Sequence, residues 1–276
     1  MHTMATPELT PTAAIAFAAE LGCGGIELVI QDLYRCGLPS ACTIAKASEL
    51  GTYARDLGAP VIAVTPYDRA FNAADQSRRE AAIKGMIHAI RLGKALGAAS
   101  VRVLAGDAVD GADWNPAFDR LVAALRQLAA VAASEEIGLN IENHDGTMAD
   151  SAARTMAIWS AVGHASVGVI YDPVNLERLG RESYPQSLTL QRQAIRHLHL
   201  KDDVIAADGT RRACVPGRGN VPWPAMIEDL QRHGYAGDAT VEYERRWLPD
   251  ILPPASESLP EAIGFIERCR ASPALR

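Results

Sequence analysis

No two cysteines of this 276-residue chain stand in a C-x-x-C spacing, and the five present (Cys23, Cys36, Cys42, Cys214, Cys269) are scattered and odd in number. That argues against a cysteine zinc site or redox dithiol and reads as reduced thiols in a cytosolic protein. No apolar run approaches the ~20 residues that a bilayer-spanning helix needs. The first residues, Met1-His2-Thr3-Met4, lack the basic-then-apolar pattern of a secretory signal. The expected compartment is therefore the cytoplasm, with no membrane as a partner. Positive charge is also short: the formal net charge is −6. Backbone phosphates reward a basic patch, so nucleic acid is not the expected partner. Linkers, charge runs, low-complexity segments and a Gly-rich phosphate turn after an early strand are all missing. Gly22-Cys23-Gly24-Gly25 precedes its strand instead of following it, which counts against a doubly wound dinucleotide-binding sheet.

What is present is a βα alternation from end to end. With 48% hydrophobic and 22% charged residues the composition is that of an ordinary globular protein. Periodicity predicts helices over 11–21, 41–57, 75–96, 116–136, 147–162, 224–233 and 257–271, with helical turns over 174–194. Apolar or alternating runs predict strands at 25–30, 61–64, 100–104, 139–144, 167–172, 196–202 and 239–244. Residues 208–222 read as a long Gly- and Pro-containing loop. An eighth strand has only Met1 to Ala5 to draw on. Eight units of ~30 residues suit a TIM (β/α)8 barrel of about 250 residues, with residues 1–276 as a single domain.

Four of these strands carry the same pattern. In a strand, successive side chains point to opposite faces. Arg196-His197-Leu198-His199-Leu200-Lys201-Asp202 puts His197, His199 and Lys201 on one face. Asn140, Glu142 and His144 share a face, as do Gly168, Ile170 and Asp172, and Thr240, Glu242 and Glu244. In a barrel, polar residues at C-terminal strand ends converge on the mouth, where TIM-barrel sites sit. Glu142, Asp172, His199 and Glu242 then form a set of three carboxylates and one imidazole. Crowded carboxylates repel and lose hydration, and a divalent cation cancels that cost. The ligand set suits one Mn²⁺, Mg²⁺, Co²⁺ or Zn²⁺, with manganese preferred on ligand hardness. Four protein ligands leave positions open for substrate oxygens.

The motifs Ile141-Glu142-Asn143-His144, Tyr171-Asp172-Pro173-Val174-Asn175, His197-Leu198-His199-Leu200-Lys201-Asp202, Gly217-Arg218-Gly219-Asn220-Val221-Pro222-Trp223 and Val241-Glu242-Tyr243-Glu244 resemble the xylose-isomerase-like sugar phosphate isomerase/epimerase superfamily. Gly25-Ile26-Glu27-Leu28 is similar to that family's early strand, so the likeness covers nearly the whole chain. It implies a TIM barrel, a metal held by Glu142, Asp172, His199 and Glu242, and proton transfer by Glu142 and Glu242. Relatives include keto-inositol isomerases and dehydratases, hydroxypyruvate isomerase, dehydroshikimate dehydratase and zinc endonucleases of abasic DNA. Two departures stand out. Asn175 occupies the place where many sugar epimerases carry histidine. Seven histidines in an acidic chain fit the three-zinc endonucleases poorly.

The expected function is a metal-dependent isomerase or epimerase of a sugar, sugar phosphate or keto-polyol, working through an enediolate. The alternative is a dehydratase acting on a hydroxy-ketone such as an inosose or dehydroshikimate. An abasic-site endonuclease and a non-catalytic partner subunit rank lower, and homo-oligomerisation is left open. The expected substrate-side residues are His144, Asn175, His197, Lys201 and Arg218. Each has a plainer reading: Lys201 in a salt bridge with Asp202 or Glu244, His197 as a core histidine, His144 and Arg218 as loop residues. Trp247 and Trp114 are candidates for lining the mouth.

Overall fold

The computed structural model describes residues 1–271 of the chain. The single-domain expectation runs to Arg276, and residues 272–276 lie outside the described residues. In chain order the elements begin with α1 (Pro11–Glu20), β1 (Ile26–Ile30), α2 (Ile44–Asp56), β2 (Val61–Pro66), α3 (Gln76–Leu96) and β3 (Ser100–Leu104). They continue with α4 (Trp114–Ser134), β4 (Gly138–Glu142), α5 (Ala152–Val162), β5 (Val167–Tyr171), α6 (Pro173–Arg178) and α7 (Gln186–Gln191). The last third holds β6 (Ile195–Leu200), β7 (Asp203–Ile205), β8 (Arg211–Ala213), α8 (Trp223–Arg232), β9 (Asp238–Val241) and α9 (Ala255–Ala271).

Local chemistry explains the boundaries. Thr10 caps α1, its hydroxyl accepting from Ala13 N at 3.3 Å, with Pro11 in the first turn. Asp75 caps α3 in the same way, and Gly97, left-handed at φ 84°, ends it. α4 buries Leu121, Leu125, Leu128 and Ala132 along one stripe, the spacing of a helix lying on a sheet. β1, β3 and β5 are buried at every residue, as expected where helices cover one side of a strand and the barrel interior the other.

Seven strands pair in parallel in the order β1-β2-β3-β4-β5-β6-β9. The sheet curls into a nearly closed barrel surrounded by helices, the TIM architecture that the alternation predicted. The eighth place is filled differently from expectation. Only Met1 and His2 run as a strand: His2 N donates to Val241 O at 3.1 Å and Glu27 N to Met1 O at 2.8 Å. From Thr3 the chain turns into a 3-10 helix, Thr3–Ala5. Met4 N donates to His2 Nδ1, and the Thr3 hydroxyl accepts from Val29 N. These side chains take up backbone groups that a longer strand would have paired.

The 208–222 loop also differs from expectation. Its first part, as β8, pairs back antiparallel with β7 just ahead of it in a small hairpin separate from the barrel. Arg211-Arg212-Ala213 carries no apolar run, so no strand was legible in it. No helix among the described residues is long and apolar enough to cross a membrane.

Candidate metal centre

The four sequence-predicted ligands meet inside the C-terminal mouth. One ligand atom each from Glu142, Asp172, His199 and Glu242 lie within 4.8 Å of one another, and all four residues are buried. Glu142 is the last residue of β4 and His199 the fifth of β6, while Asp172 and Glu242 directly follow β5 and β9. The pleat turns each inward. Asp172 is further aimed by a local device. It caps α6, its Oδ1 accepting from Asn175 N at 3.1 Å, which leaves Oδ2 for the interior. Asn143 holds the Asp172 backbone from the neighbouring strand, donating to its O at 2.6 Å and accepting from its N at 3.1 Å. Gly168 sits where any Cβ would run into Arg196 and Asn140, which keeps β4, β5 and β6 in close register.

His199 is the hub. Its Nδ1 lies 2.9 Å from Glu142 Oε1 and 2.9 Å from Glu242 Oε2. Its Nε2 faces Glu27, 3.2 Å from both carboxylate oxygens. Burial would favour neutral imidazole, but Glu242, Glu27 and Glu142 outweigh it and push the His199 pKa well up. Burial would also raise Glu142; Arg102 and His199 instead hold it down to about 2. Arg102 Nη1 donates to Glu142 Oε2 at 2.7 Å and Nη2 to Pro66 O at 3.0 Å, with the guanidinium over the Tyr67 ring. Asp172 moves the other way: burial and the charges of Glu242 and Glu142 push it up against the pull of Lys201.

Lys201 is buried among these acids. Its Nζ is 2.8 Å from Asp172 Oδ2, 3.0 Å from Glu242 Oε2, 3.2 Å from Glu244 Oε1 and 3.3 Å from Asn175 Oδ1. The contacts to Asp172 and Glu242 are close in distance but lack hydrogen-bond angles. Asp172 Oδ2 and Glu242 Oε2 are buried oxygens without a hydrogen-bond partner. Two unpartnered carboxylate oxygens beside an imidazole nitrogen are what a hard divalent cation requires. The donor set fits a metal.

Above the cluster lies a cavity of about 350 Å³, lined in part by Tyr67, Arg102, His144, Lys201, Glu242 and Trp247. Asn175 also lines it, although its side-chain amide is engaged with Asn143 and Lys201. His144 is held through Nδ1, 2.7 Å from the Asp145 carbonyl and 2.8 Å from its carboxylate. Burial lowers the His144 pKa, but the Asp145 hydrogen bond and the Glu142 charge win and raise it.

Two of the expected substrate-side residues lie elsewhere. His197 is deeper in the barrel and only 2% exposed, its Nε2 shared between Glu27 at 3.1 Å and Thr240 at 2.9 Å. It is the hydrogen-bonded core histidine of the plainer reading. Arg218 does not cover the site, because Glu261 on α9 captures its guanidinium through both oxygens at the surface. Trp114 likewise packs on Phe118 and under Arg154 rather than at the mouth. Glu27 and Arg102 escaped notice in the sequence. Each is a lone charge in the middle of an apolar strand at inward parity, the same signal that exposed Glu142.

A family model described as xylose isomerase-like TIM barrel matches residues 15–269. The chain belongs to the xylose isomerase-like TIM barrel family. Several solved structures share the fold at low identity. An IOLI protein structure with a bound zinc atom superposes with TM-score 0.76 at 18% identity, covering 98% of this chain and 95% of that one. The 3-keto-D-glucoside 4-epimerase YcjR of E. coli gives 0.72 at 17%, with 95% of each covered. The probable 3-DHS dehydratase AsbF of Bacillus anthracis gives 0.71 at 18%, covering 94% and 96%. Among curated proteins, 150 residues are 29% identical to the rhizopine catabolism protein MocC of Rhizobium meliloti, 49% of this chain and 44% of that one. A 79-residue stretch is 33% identical to an alanine–tRNA ligase of Magnetococcus marinus, 9% of that protein. The chain thus spans less than half the length of either curated relative.

Proposed function

We propose that this member of the xylose isomerase-like family is a divalent-metal-dependent isomerase or epimerase of a small sugar, sugar phosphate or keto-polyol. The observation that carries the reading is the placement of Glu142 and Glu242, each 2.9 Å from the same nitrogen of His199, beneath one cavity of about 350 Å³. Glu142, Asp172, His199 and Glu242 would hold the cation, with manganese preferred for three carboxylates and one imidazole. Bound there, the cation would polarise a substrate carbonyl and stabilise an adjacent enediolate.

The chain's own groups then handle the protons. One of Glu142 and Glu242 takes the proton next to the carbonyl and the other returns one. Arg102, fixed by Pro66 O, keeps Glu142 ionised and in place. Lys201 stays protonated among its acceptors, and burial is outweighed by Asp172, Glu242 and Glu244. It is therefore suited to hold a substrate oxygen, not to act as base.

A second reading is favoured by one observation. The Asp145-braced His144 in the cavity wall is a candidate acid for a departing hydroxyl, the group a dehydratase needs. The test is a panel of ketoses, ketose phosphates, an inosose and dehydroshikimate with Mn²⁺ in deuterated water. Deuterium at the α-carbon with every hydroxyl retained, or an isomeric product, supports the isomerase. Loss of one water, abolished in His144→Ala, replaces it with the dehydratase. Retention of every α-hydrogen across the panel overturns both.

A further inference from the structure

We infer that Glu27 is the positioning residue of this centre: it fixes His199 through Nε2, so that Nδ1 is the nitrogen presented to the metal, and thereby sets how tightly metal is held. The inference rests on reading the Glu142 cluster as a metal centre. Glu27 stands on β1, 172 residues before His199 in the chain, and is fully buried.

Its two oxygens receive three donors. The Thr65 hydroxyl donates to Oε1 at 2.6 Å, His197 Nε2 lies 3.1 Å from Oε2, and His199 Nε2 sits 3.2 Å from both. Thr65, having given its proton to Glu27, can only accept from His2 Nε2, which lies 3.3 Å away. Glu27 therefore has acceptor work on every side and must remain a carboxylate. A carboxylate facing Nε2 keeps the proton on that nitrogen. Nδ1, which faces Glu142 and Glu242 at 2.9 Å each, is then the nitrogen that gives up its proton when a cation enters and offers its lone pair to the metal. A ligand imidazole braced by a carboxylate on its other nitrogen is held in tautomer and in plane, and is made more basic.

The same residues admit a rival. Glu27, His197 and His199 also bring ligand atoms within 4.8 Å of one another, as a second metal would need. The polar atoms distinguish the two clusters. Asp172 Oδ2 and Glu242 Oε2 lack hydrogen-bond partners, whereas Glu27, His197 and His199 leave no buried side-chain atom unpartnered. The Glu27 side is a completed hydrogen-bond network, and a metal there would have to strip protons from two histidines. The first cluster keeps two carboxylate oxygens that have charged neighbours but no hydrogen bond, and the second has none.

The test uses the whole chain, stripped with chelator and titrated with Co²⁺ alone. Wild type should take up one ion with visible d–d bands, and long-range ¹⁵N spectra of the protein loaded with diamagnetic Zn²⁺ instead should show His199 protonated at Nε2. Glu27→Gln should still bind a single ion, about 10- to 100-fold more weakly, with the His199 nitrogen pattern shifted towards the other tautomer and altered cobalt bands. Thr65→Val touches no ligand and removes one donor to Glu27; it should weaken binding less, and it decides the matter if Glu27→Gln fails to fold. Unchanged affinity and an unchanged nitrogen pattern in the variants overturn the inference. So does a wild type that binds no ion, or that binds two and loses one in Glu27→Gln. Turnover plays no part in these readouts. A protein that binds cobalt as stated but exchanges no α-hydrogen leaves the role of Glu27 standing and removes the isomerase.

Discussion

Lys201 shows how one side chain can serve two states of a site. It is 4% exposed and lies against the buried Asp172 and Glu242 and the partly exposed Glu244, so its ammonium supplies positive charge that the two buried acids require. Lys201→Met should therefore cost the metal-free protein about 3–5 kcal/mol, the usual result of stripping one partner from a buried ion cluster. Saturating Mn²⁺ should return part of that loss, because the cation takes over the charge. Thermal melts of wild type and variant, with and without metal, check both halves. Equal losses in the two conditions would show that Lys201 acts independently of the centre. For the glutamates the expectation is kinetic. With metal restored by saturation, Glu142→Gln and Glu242→Gln should each remain ~10²-fold or more below wild type, the worth of a positioned acid or base. Recovery of either to the wild-type rate would leave that residue as a ligand only. At this scale the acids themselves were legible in the sequence. Their company was not, because Arg102 meets Glu142 from 40 residues away and Glu27 meets His199 from 172.

The segment after β6 shows the same division at the scale of an element. Asp202 is buried and accepts four backbone N–H groups: Asp203 at 3.0 Å, Gly217 at 2.8 Å, Gly219 at 3.0 Å and Val221 at 3.1 Å. One carboxylate thus folds the β7–β8 hairpin and its return back onto the barrel. Gly219 is required at this point, since a Cβ there would strike the Asp202 carboxylate. Asp202→Ala should leave these donors unpaired and cost at least about 2 kcal/mol. Limited proteolysis should then cut first within residues 203–222, whereas resistance equal to wild type would mean that other contacts hold the loop. The resemblance drew attention to Arg218 in this loop, and the structure shows Gly217 and Gly219 as its working residues. Spacing in sequence carries no sign that Glu261, 43 residues on, is waiting for the arginine.

Across the whole molecule, a cation held by Glu142, Asp172, His199 and Glu242 would tie the C-terminal ends of β4, β5, β6 and β9 together. A cation that binds only the folded chain at 100 times its dissociation constant adds about 2.7 kcal/mol. For a chain of this size that is a rise of about 5 °C in melting temperature, which chelator should reverse and the Asp172→Ala variant should not show. An unshifted melt at millimolar Mn²⁺ would contradict a centre assembled from these strands. What the sequence determined by itself follows from local periodicity. Helical stripes and apolar strands specified the barrel, and the two-residue repeat of the pleat sent Glu142, Asp172, His199 and Glu242 to one side. That repeat is a property of each strand alone, so it can be read without knowing the neighbours. Closure of the barrel by Met1 and His2, the bracing of His199 by Glu27, the descent of His197 into the core and the loss of Arg218 to α9 were decided only in three dimensions. Each depends on which distant donor reaches a given acceptor first, and that is a matter of distance through space, which the order of residues does not contain.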